Sequence, residues 1–275
     1  MSPHVAVDEA DGILTVTFDR DEKRNAISPE MAEALWDAVQ ALGDRDDLRC
    51  LVITARGRMF SAGIDLEHGA GTRRGDPVGS PAQPGWGYRR NYRSHHLLYD
   101  EIEAVEKPVV IAAQGPVIGA GVELAVSCDF RFCTPSTTWS LPEVRLGALP
   151  GSGGMSRLTR LVGPQWAKWM AMAGRTISAT QAANLGLVHE VVERDELDHH
   201  VLDFCQELCR LDAEPIGLAK LVIDLGVDVG DRASQRTIER IANTTLRLGD
   251  NRFDDRIRRF TQSSSTSSSS PEGPR

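Results

Sequence analysis

Two short runs, Cys50-Leu51-Val52-Ile53-Thr54 and Val109-Val110-Ile111-Ala112-Ala113, constrain the fold more than anything else in the chain. A strand-length element with no polar face must be covered on both sides, as in a mostly parallel sheet flanked by helices. Ile13-Leu14-Thr15-Val16-Thr17-Phe18, bounded by Gly12 and a charged stretch, reads as a further strand. Helical patterns lie between these runs. Ser28 is placed to cap a helix with Pro29 at its first position and Glu30 and Glu33 near its positive end. Met31, Leu35, Ala38 and Leu42 then repeat on one face up to Gly43, and Leu98, Ile102 and Val105 mark a second helix. Strands alternating with helices predict an α/β architecture.

Beyond about residue 150 the strand signal fades, and helices are predicted over 165–173, 179–185, 195–211, 215–225 and 231–248. The expected organisation is an α/β core over 1–195 and a helical region over 196–262. A serine-dominated tail over 263–275 cannot bury apolar surface and is expected to be disordered. Within the core, 69–87 is rich in Gly, Pro and Arg and reads as a long flexible loop, with Trp86 and Tyr88 near its end. No internal repeat is visible.

Composition removes several functional classes. The 275 residues are 41% hydrophobic and 25% charged, which supports a sizeable core. A net charge of −8 argues against nucleic acid, so an anionic ligand must be met by local basic residues or backbone N–H groups. No apolar run is long enough to span a membrane, and Met1 to Asp11 has neither the basic flank nor the apolar stretch of a signal peptide. Cys50, Cys128, Cys133, Cys205 and Cys209 form no CxxC pair and no zinc spacing, so they read as buried thiols in a reducing compartment, and a cytoplasmic location and no metal are expected. The adjacent pairs His95-His96 and His199-His200 cannot both face one metal from a helix and read as solvated.

Three stretches carry candidate chemistry. The first, Met59-Phe60-Ser61-Ala62-Gly63-Ile64-Asp65-Leu66, follows a strand with small residues that allow close approach to the backbone. Alone it reads as an ordinary βα turn. The second, Gln114 to Ala125, leads from a strand through glycines into an apolar helix whose first N–H groups can stabilise negative charge. Glu123 is the odd residue there; a structural salt bridge is the alternative to a chemical role. In the third, Glu143 follows Pro142 in an apolar segment, and the glycine run 151–154 then feeds a helix bearing Arg157 and Arg160. Alone, Glu143 reads as a surface or paired residue. Together, two carboxyl groups in apolar settings can supply a general acid and a general base, with backbone N–H groups as an oxyanion hole. That combination suits a carbonyl becoming an enolate. The dinucleotide fingerprint is broken by Leu124, and the phosphate-binding loop, the nucleophile elbow and HExxH are absent.

From about residue 5 to 262 the sequence resembles the crotonase, or enoyl-CoA hydratase/isomerase, family. The resemblance is carried by Lys23-Arg24-Asn25-Ala26-Ile27, Phe60 to Asp65, Gly119-Ala120-Gly121-Val122-Glu123-Leu124-Ala125 with Cys128-Asp129, Pro142-Glu143, Leu149 to Gly154, and Ile177 to Val188. It implies a spiral of ββα units with a C-terminal helical region that assembles trimers, often paired into hexamers. It implies a coenzyme A thioester as substrate and no separate cofactor. By motif position, the N–H groups of Ala62 and Ala120 would form the oxyanion hole, with alanine at 120 where glycine is usual. Arg24, Ala26, Ile64, Asp65 and Leu66 would line the coenzyme A groove. Glu123 and Glu143 match the two hydratase glutamates, which implies water addition across the 2,3 double bond of an enoyl-CoA. An isomerase, a thioester hydrolase or a non-catalytic acyl-CoA binder are the alternatives.

Overall fold

In the computed structural model, which describes residues 4–67, 95–248 and 258, the apolar runs are neighbours in one sheet. Strand β1 (Val5–Ala10) pairs antiparallel with β2 (Ile13–Phe18). From β2 the sheet continues in parallel through β3 (Cys50–Ala55), β4 (Val109–Ala113), β6 (Phe130–Cys133) and β9 (Glu190–Val191). A second sheet holds β5 (Val117–Ile118), β7 (Thr138–Ser140) and β8 (Ile177–Ser178). The helices are α1 (Pro29–Asp44), α2 (95–104), α3 (Ala120–Ala125), α4 (Gly154–Ala171), α5 (Ala179–Asn184), α6 (Leu197–Arg210), α7 (Ala213–Asp228) and α8 (Arg232–Leu248).

The wholly apolar strands are explained by burial on both faces. Leu51 and Ile53 of β3 and Val109 and Ile111 of β4 face one core, with Met31, Leu35 and Leu42 of α1 and Leu98 and Ile102 of α2. The alternate residues, Cys50, Val52, Val110 and Ala112, face a second core closed by Leu197, Val201 and Cys205 of α6. Period-two alternation therefore feeds two cores at once, each buried aliphatic side chain contributing about 1.5–3 kcal/mol.

Some elements differ from the sequence expectation. Strand β1 was not anticipated, because Asp8 and Glu9 on its exposed stretch mask the apolar pattern. Its signal was Asp11-Gly12, which pairs Ala10 with Ile13 and holds both turn residues at positive φ, 52° and 80°. Helix α4 begins at Gly154 and bends at Gly163-Pro164, so the expected start near Gln165 captured only its second half. Strands β5, β8 and β9 are two residues long, too short to leave a pattern.

The chain divides into two compact units, Met1–Ile216 and Gly217–Arg275. The expected core boundary after 195 falls inside the first unit, because α6 closes the second face of the sheet. In the second unit Asp231 caps α8 through the N–H groups of Ala233 and Ser234, and the Gln235 side chain donates to the carbonyls of Gly226 and Val229. The 69–87 loop with Trp86 and Tyr88, and the 263–275 tail, lie outside the described residues.

A buried ion pair fastens the loop after β2 to the loop after β3. Arg20 Nη1 lies 2.7 Å from Asp65 Oδ2, and both side chains are buried. The same nitrogen donates to the Ala26 carbonyl at 3.1 Å, while Asn25 Oδ1 accepts from the Arg20 N–H at 2.8 Å. Removing Asp65 leaves a guanidinium without its counter-charge. Asp65→Ala is expected to lower unfolding free energy by about 3–5 kcal/mol in urea titrations, and Arg20→Met with Asp65→Leu to recover much of that loss. A single variant within about 0.5 kcal/mol of the parent protein would show that the pair does not hold these loops.

Candidate active site

The chain arriving at α3 turns on Gly119, whose φ of 56° and ψ of −123° suit glycine. Its N–H donates to the Ser140 carbonyl at 2.9 Å, which ties α3 to β7 just ahead of Pro142 and Glu143. A Cβ at Gly119 would stand 2.8 Å from Glu143 Oε1, so the missing side chain is what admits that carboxyl group. The sequence places Glu143 and α3 far apart; the β5–β7 pairing brings them together.

Glu123 lies on α3, buried among Val122, Leu124 and Ala125. Its Oε1 accepts from the Ser152 N–H at 2.7 Å, with further stabilisation from the N–H groups of Gly154 and Gly151. Burial pushes the Glu123 carboxyl up to about 7; the Ser152 N–H opposes this and the charge of Glu143 adds to it. Glu143 opens a single 3-10 turn, Glu143–Leu146, and is half-buried. Its Oε2 is shielded from solvent and has no hydrogen-bond partner among the described residues. Burial raises its pKa as well. The structural salt bridge considered for Glu123 is absent among the described residues: backbone N–H groups meet the carboxyl group instead.

Of the two N–H groups expected to form an oxyanion hole, one is open and the other is engaged. Ala120 is the first residue of α3, so its N–H has no intrahelical acceptor, and it meets no other among the described residues. The Ala62 N–H, by contrast, donates to the Arg24 carbonyl at 2.9 Å and is unavailable to a ligand. The open donor on that loop is Ile64. Ile27 donates to the Gly63 carbonyl at 2.7 Å and accepts from the Asp65 N–H at 3.0 Å, a parallel bridge centred on Ile64. In such a bridge the central residue turns its own N–H to the opposite side. A Cβ at Gly63 would lie 3.4 Å from the Ala120 nitrogen, so the two open N–H groups belong to adjoining stretches of chain.

The residues expected along the coenzyme A groove separate into two groups. Arg24 and Leu66 are exposed, and Ala26 and Ile64 are half-buried, at the meeting of the 20–27 and 61–67 loops. Lys23 and Glu67 pair at 2.7 Å across the outer edge of that junction. Asp65 departs from the expectation: its buried carboxylate holds Arg20 and accepts from the Glu67 N–H, so it braces the loop. His95 also departs from its solvated reading. It is buried edge-on to Tyr99, and burial lowers its pKa to about 4. His199 is exposed beside Asp203, whereas His200 is half-buried against Phe132 and lies 3.0 Å from Glu190. No group of three or more His, Cys, Asp or Glu suited to a metal occurs among the described residues. Arg20 and Arg157, both buried and both tied to site loops, were missed as structural partners; Arg157 had a sequence signal in the glycine run 151–154 just before it, whereas Arg20 is one of several charges in 19–24 and had none.

Residues 8–240 match the family described as enoyl-CoA hydratase/isomerase. A protein of Arabidopsis thaliana named "Probable enoyl-CoA hydratase 2, mitochondrial" is 32% identical over 242 residues, covering 86% of this chain and 77% of that one. A Salmonella typhi protein named carnitinyl-CoA dehydratase is 34% identical over 210 residues, 76% of this chain and 75% of the other. The crystal structure of an enoyl-CoA hydratase from Bacillus anthracis superposes with a TM-score of 0.84 at 27% identity, covering 94% of this chain and 96% of that one. The α/β fold, the sequence match along most of the chain and the paired carboxyl groups beside two open N–H groups agree: the chain belongs to the enoyl-CoA hydratase/isomerase, or crotonase, family.

Proposed function

We propose that this protein is an enoyl-CoA hydratase that adds water across the 2,3 double bond of an enoyl-CoA thioester, with Glu123 and Glu143 as the acid/base pair. The observation that carries this reading is the pair of glutamates, both with raised pKa values, at the start of a helix with an unengaged N–H. Water attacks C3 as one carboxylate removes its proton. The double-bond electrons move onto the thioester carbonyl, whose developing negative charge is met by the N–H groups of Ala120 and Ile64. Collapse of the enolate takes a proton at C2 from the glutamate pair, so the product gains one water and neither glutamate is consumed. The C2–C3 π bond and one O–H bond of water give way to a C3–O and a C2–H bond with no net oxidation, so no cofactor beyond the substrate's own coenzyme A is required. A carboxyl near 7 is suited to both directions of transfer at neutral pH. The dehydratase name of the Salmonella relative denotes removal of water from a coenzyme A thioester, the reverse of this type of reaction on a substrate of its own.

Arg24, Ala26 and Leu66 are the residues at the loop junction available to the coenzyme A portion, with Ile64 contributing backbone; the Asp65 carboxylate is not. A homotrimer or a pair of trimers is the inferred assembly, checked by light scattering. Among the described residues no helix is long and apolar enough to cross a membrane. The cytoplasmic reading rests on the scattered thiols, and the Arabidopsis relative carries a mitochondrial name.

Mass-spectrometric assay of a panel of enoyl-CoA thioesters should show water gain, and Glu123→Gln and Glu143→Gln should each lower kcat by about 10²–10⁴-fold with binding retained. A shifted double bond that needs only Glu143 identifies an isomerase, loss of free coenzyme A identifies a hydrolase, and binding without any product identifies a non-catalytic binder. Ala120→Pro sits at a helix position that tolerates proline and removes only one N–H, so kcat should fall by about 10²–10³-fold in a folded protein. Normal turnover in that variant removes Ala120 from the oxyanion hole.

A second consequence does not depend on turnover. A carboxyl raised from 4.5 to about 7 by folding holds its proton more tightly folded than unfolded, so its contribution weakens as pH rises through that window. Glu123→Gln abolishes this titration and should gain stability relative to the parent between pH 5 and pH 8, by on the order of 3 kcal/mol at most. A pH-independent difference between the two proteins in thermal melts would mean that Glu123 is not perturbed by burial.

A further inference from the structure

Ser152, whose N–H meets Glu123, is itself held from the other side. Its carbonyl accepts from Arg157 Nη1 at 3.0 Å. The same guanidinium places Nη2 2.6 Å from Asp100 Oδ1 and 2.6 Å from Glu103 Oε2, both on α2. Arg157 belongs to the first turns of α4 yet is buried, because its side chain runs back over the start of its own helix. Two successive glycines make this possible. Gly153, at φ 81°, has no Cβ to collide with Arg157 Nη1, and a Cβ at Gly154 would stand 2.5 Å from Glu123 Cγ. Each glycine of the pair thus clears the path of one charged side chain.

We propose that Arg157 is a positioning residue for Glu123: anchored by Asp100 and Glu103, it clamps the Ser152 carbonyl and so fixes the 151–154 N–H groups at the carboxyl group. The inference rests on the acid/base role assigned to Glu123 above and names the group that sustains it. The physical need is clear from the loop's composition. Gly151, Ser152, Gly153 and Gly154 carry almost no side chain to pack, and glycine has the most backbone freedom to lose. A reacting group must be held within about 0.5 Å of its working geometry, which such a loop does not achieve unaided. Arg157 supplies the fixed point through a planar fork with separate donors for carbonyl and carboxylates. Among the described residues few other charges reach Glu123: α3 carries no second ionisable residue, β5 carries none, Glu143 faces it from the 3-10 turn, and α4 contributes Arg157 with Asp100 and Glu103 behind it.

The test compares Arg157→Lys and Arg157→Gln with the parent protein. Lysine keeps a positive charge for Asp100 and Glu103 but lacks the second arm that reaches Ser152. In the ligand-free protein, 13C-NMR titration of labelled glutamate, assigned with Glu123→Gln, reads the Glu123 midpoint directly. With fewer N–H groups in place the charged form loses support, so the midpoint should move upward by about one pH unit. With enoyl-CoA as substrate, kcat should fall by about 10–100-fold, as for other groups that orient a reacting residue, with KM little changed and the matching limb of the pH–rate profile moved alike. Asp100→Asn with Glu103→Gln loosens the anchor without touching Arg157 and should move the midpoint the same way by less; this variant also serves if Arg157→Gln does not fold. An unmoved midpoint in a folded Arg157→Lys protein overturns the proposal, whether or not turnover falls, because a general loss of structure would lower kcat without displacing one carboxyl group. If the parent protein hydrates no enoyl-CoA while the midpoint still moves, the hydratase reading fails and the clamp stands.

Discussion

A carboxyl group within an apolar helix loses hydration worth several kcal/mol, and the site in this protein is built around meeting that deficit for Glu123. A buried cation would answer it most directly, but would hold the group ionised and bar it from the acid role proposed for it. Backbone N–H groups from residues 151–154 answer it in part, and the carboxyl is left near 7. The charge that could have neutralised Glu123 stands one residue removed: Arg157 engages the Ser152 carbonyl and passes its ionic partnership to Asp100 and Glu103. In the role proposed for Glu123, this arrangement steadies the carboxyl group without the electrostatic penalty that direct pairing would impose on proton transfer.

The sheet explains why these groups meet. β3 and β4 are parallel neighbours, so the loops leaving their carboxyl ends emerge side by side, where α/β sheets commonly bind ligands. Residues 60–65 and 114–119 then cross, with Ser61 bridged to Val117 and Ile64 bridged to Ile27. The Ile27–Ile64 bridge leaves the Ile64 N–H open, and the Ala120 N–H is open because Ala120 begins α3. The Arg20–Asp65 pair fastens the 60–65 stretch to the loop after β2. Burial of the strands on both faces, with α6 closing the second, keeps the platform rigid enough for such distances to matter.

Much of this was legible in the chain, and the departures share a cause. The strands at 13–18, 50–55 and 109–113 and the Ser28 cap follow from patterns within a few residues of each other. Strand β1 was equally local, through Asp11-Gly12, but its polar residues concealed it. Glu123 and Glu143 stood out because a carboxylate in an apolar run is anomalous wherever it occurs. His95 was misread because adjacent histidines look solvated, whereas the packing of α2 buries the first beside Tyr99 and leaves the second half-buried.

The sequence by itself determined the α/β class, the two-sided burial of the central strands and the two acidic side chains, because side-chain chemistry and its periodicity are written residue by residue. The tertiary structure alone decided that Ile64, not Ala62, presents an open N–H, that Asp65 braces Arg20, and that Arg157 stands behind Ser152. The reason is physical. Every residue but proline carries the same N–H, so a backbone donor has no signature in the sequence. Whether it is engaged depends on where a distant carbonyl comes to rest, and Arg24, Ile27 and Ser152 reach their partners only once the sheet has brought those segments together.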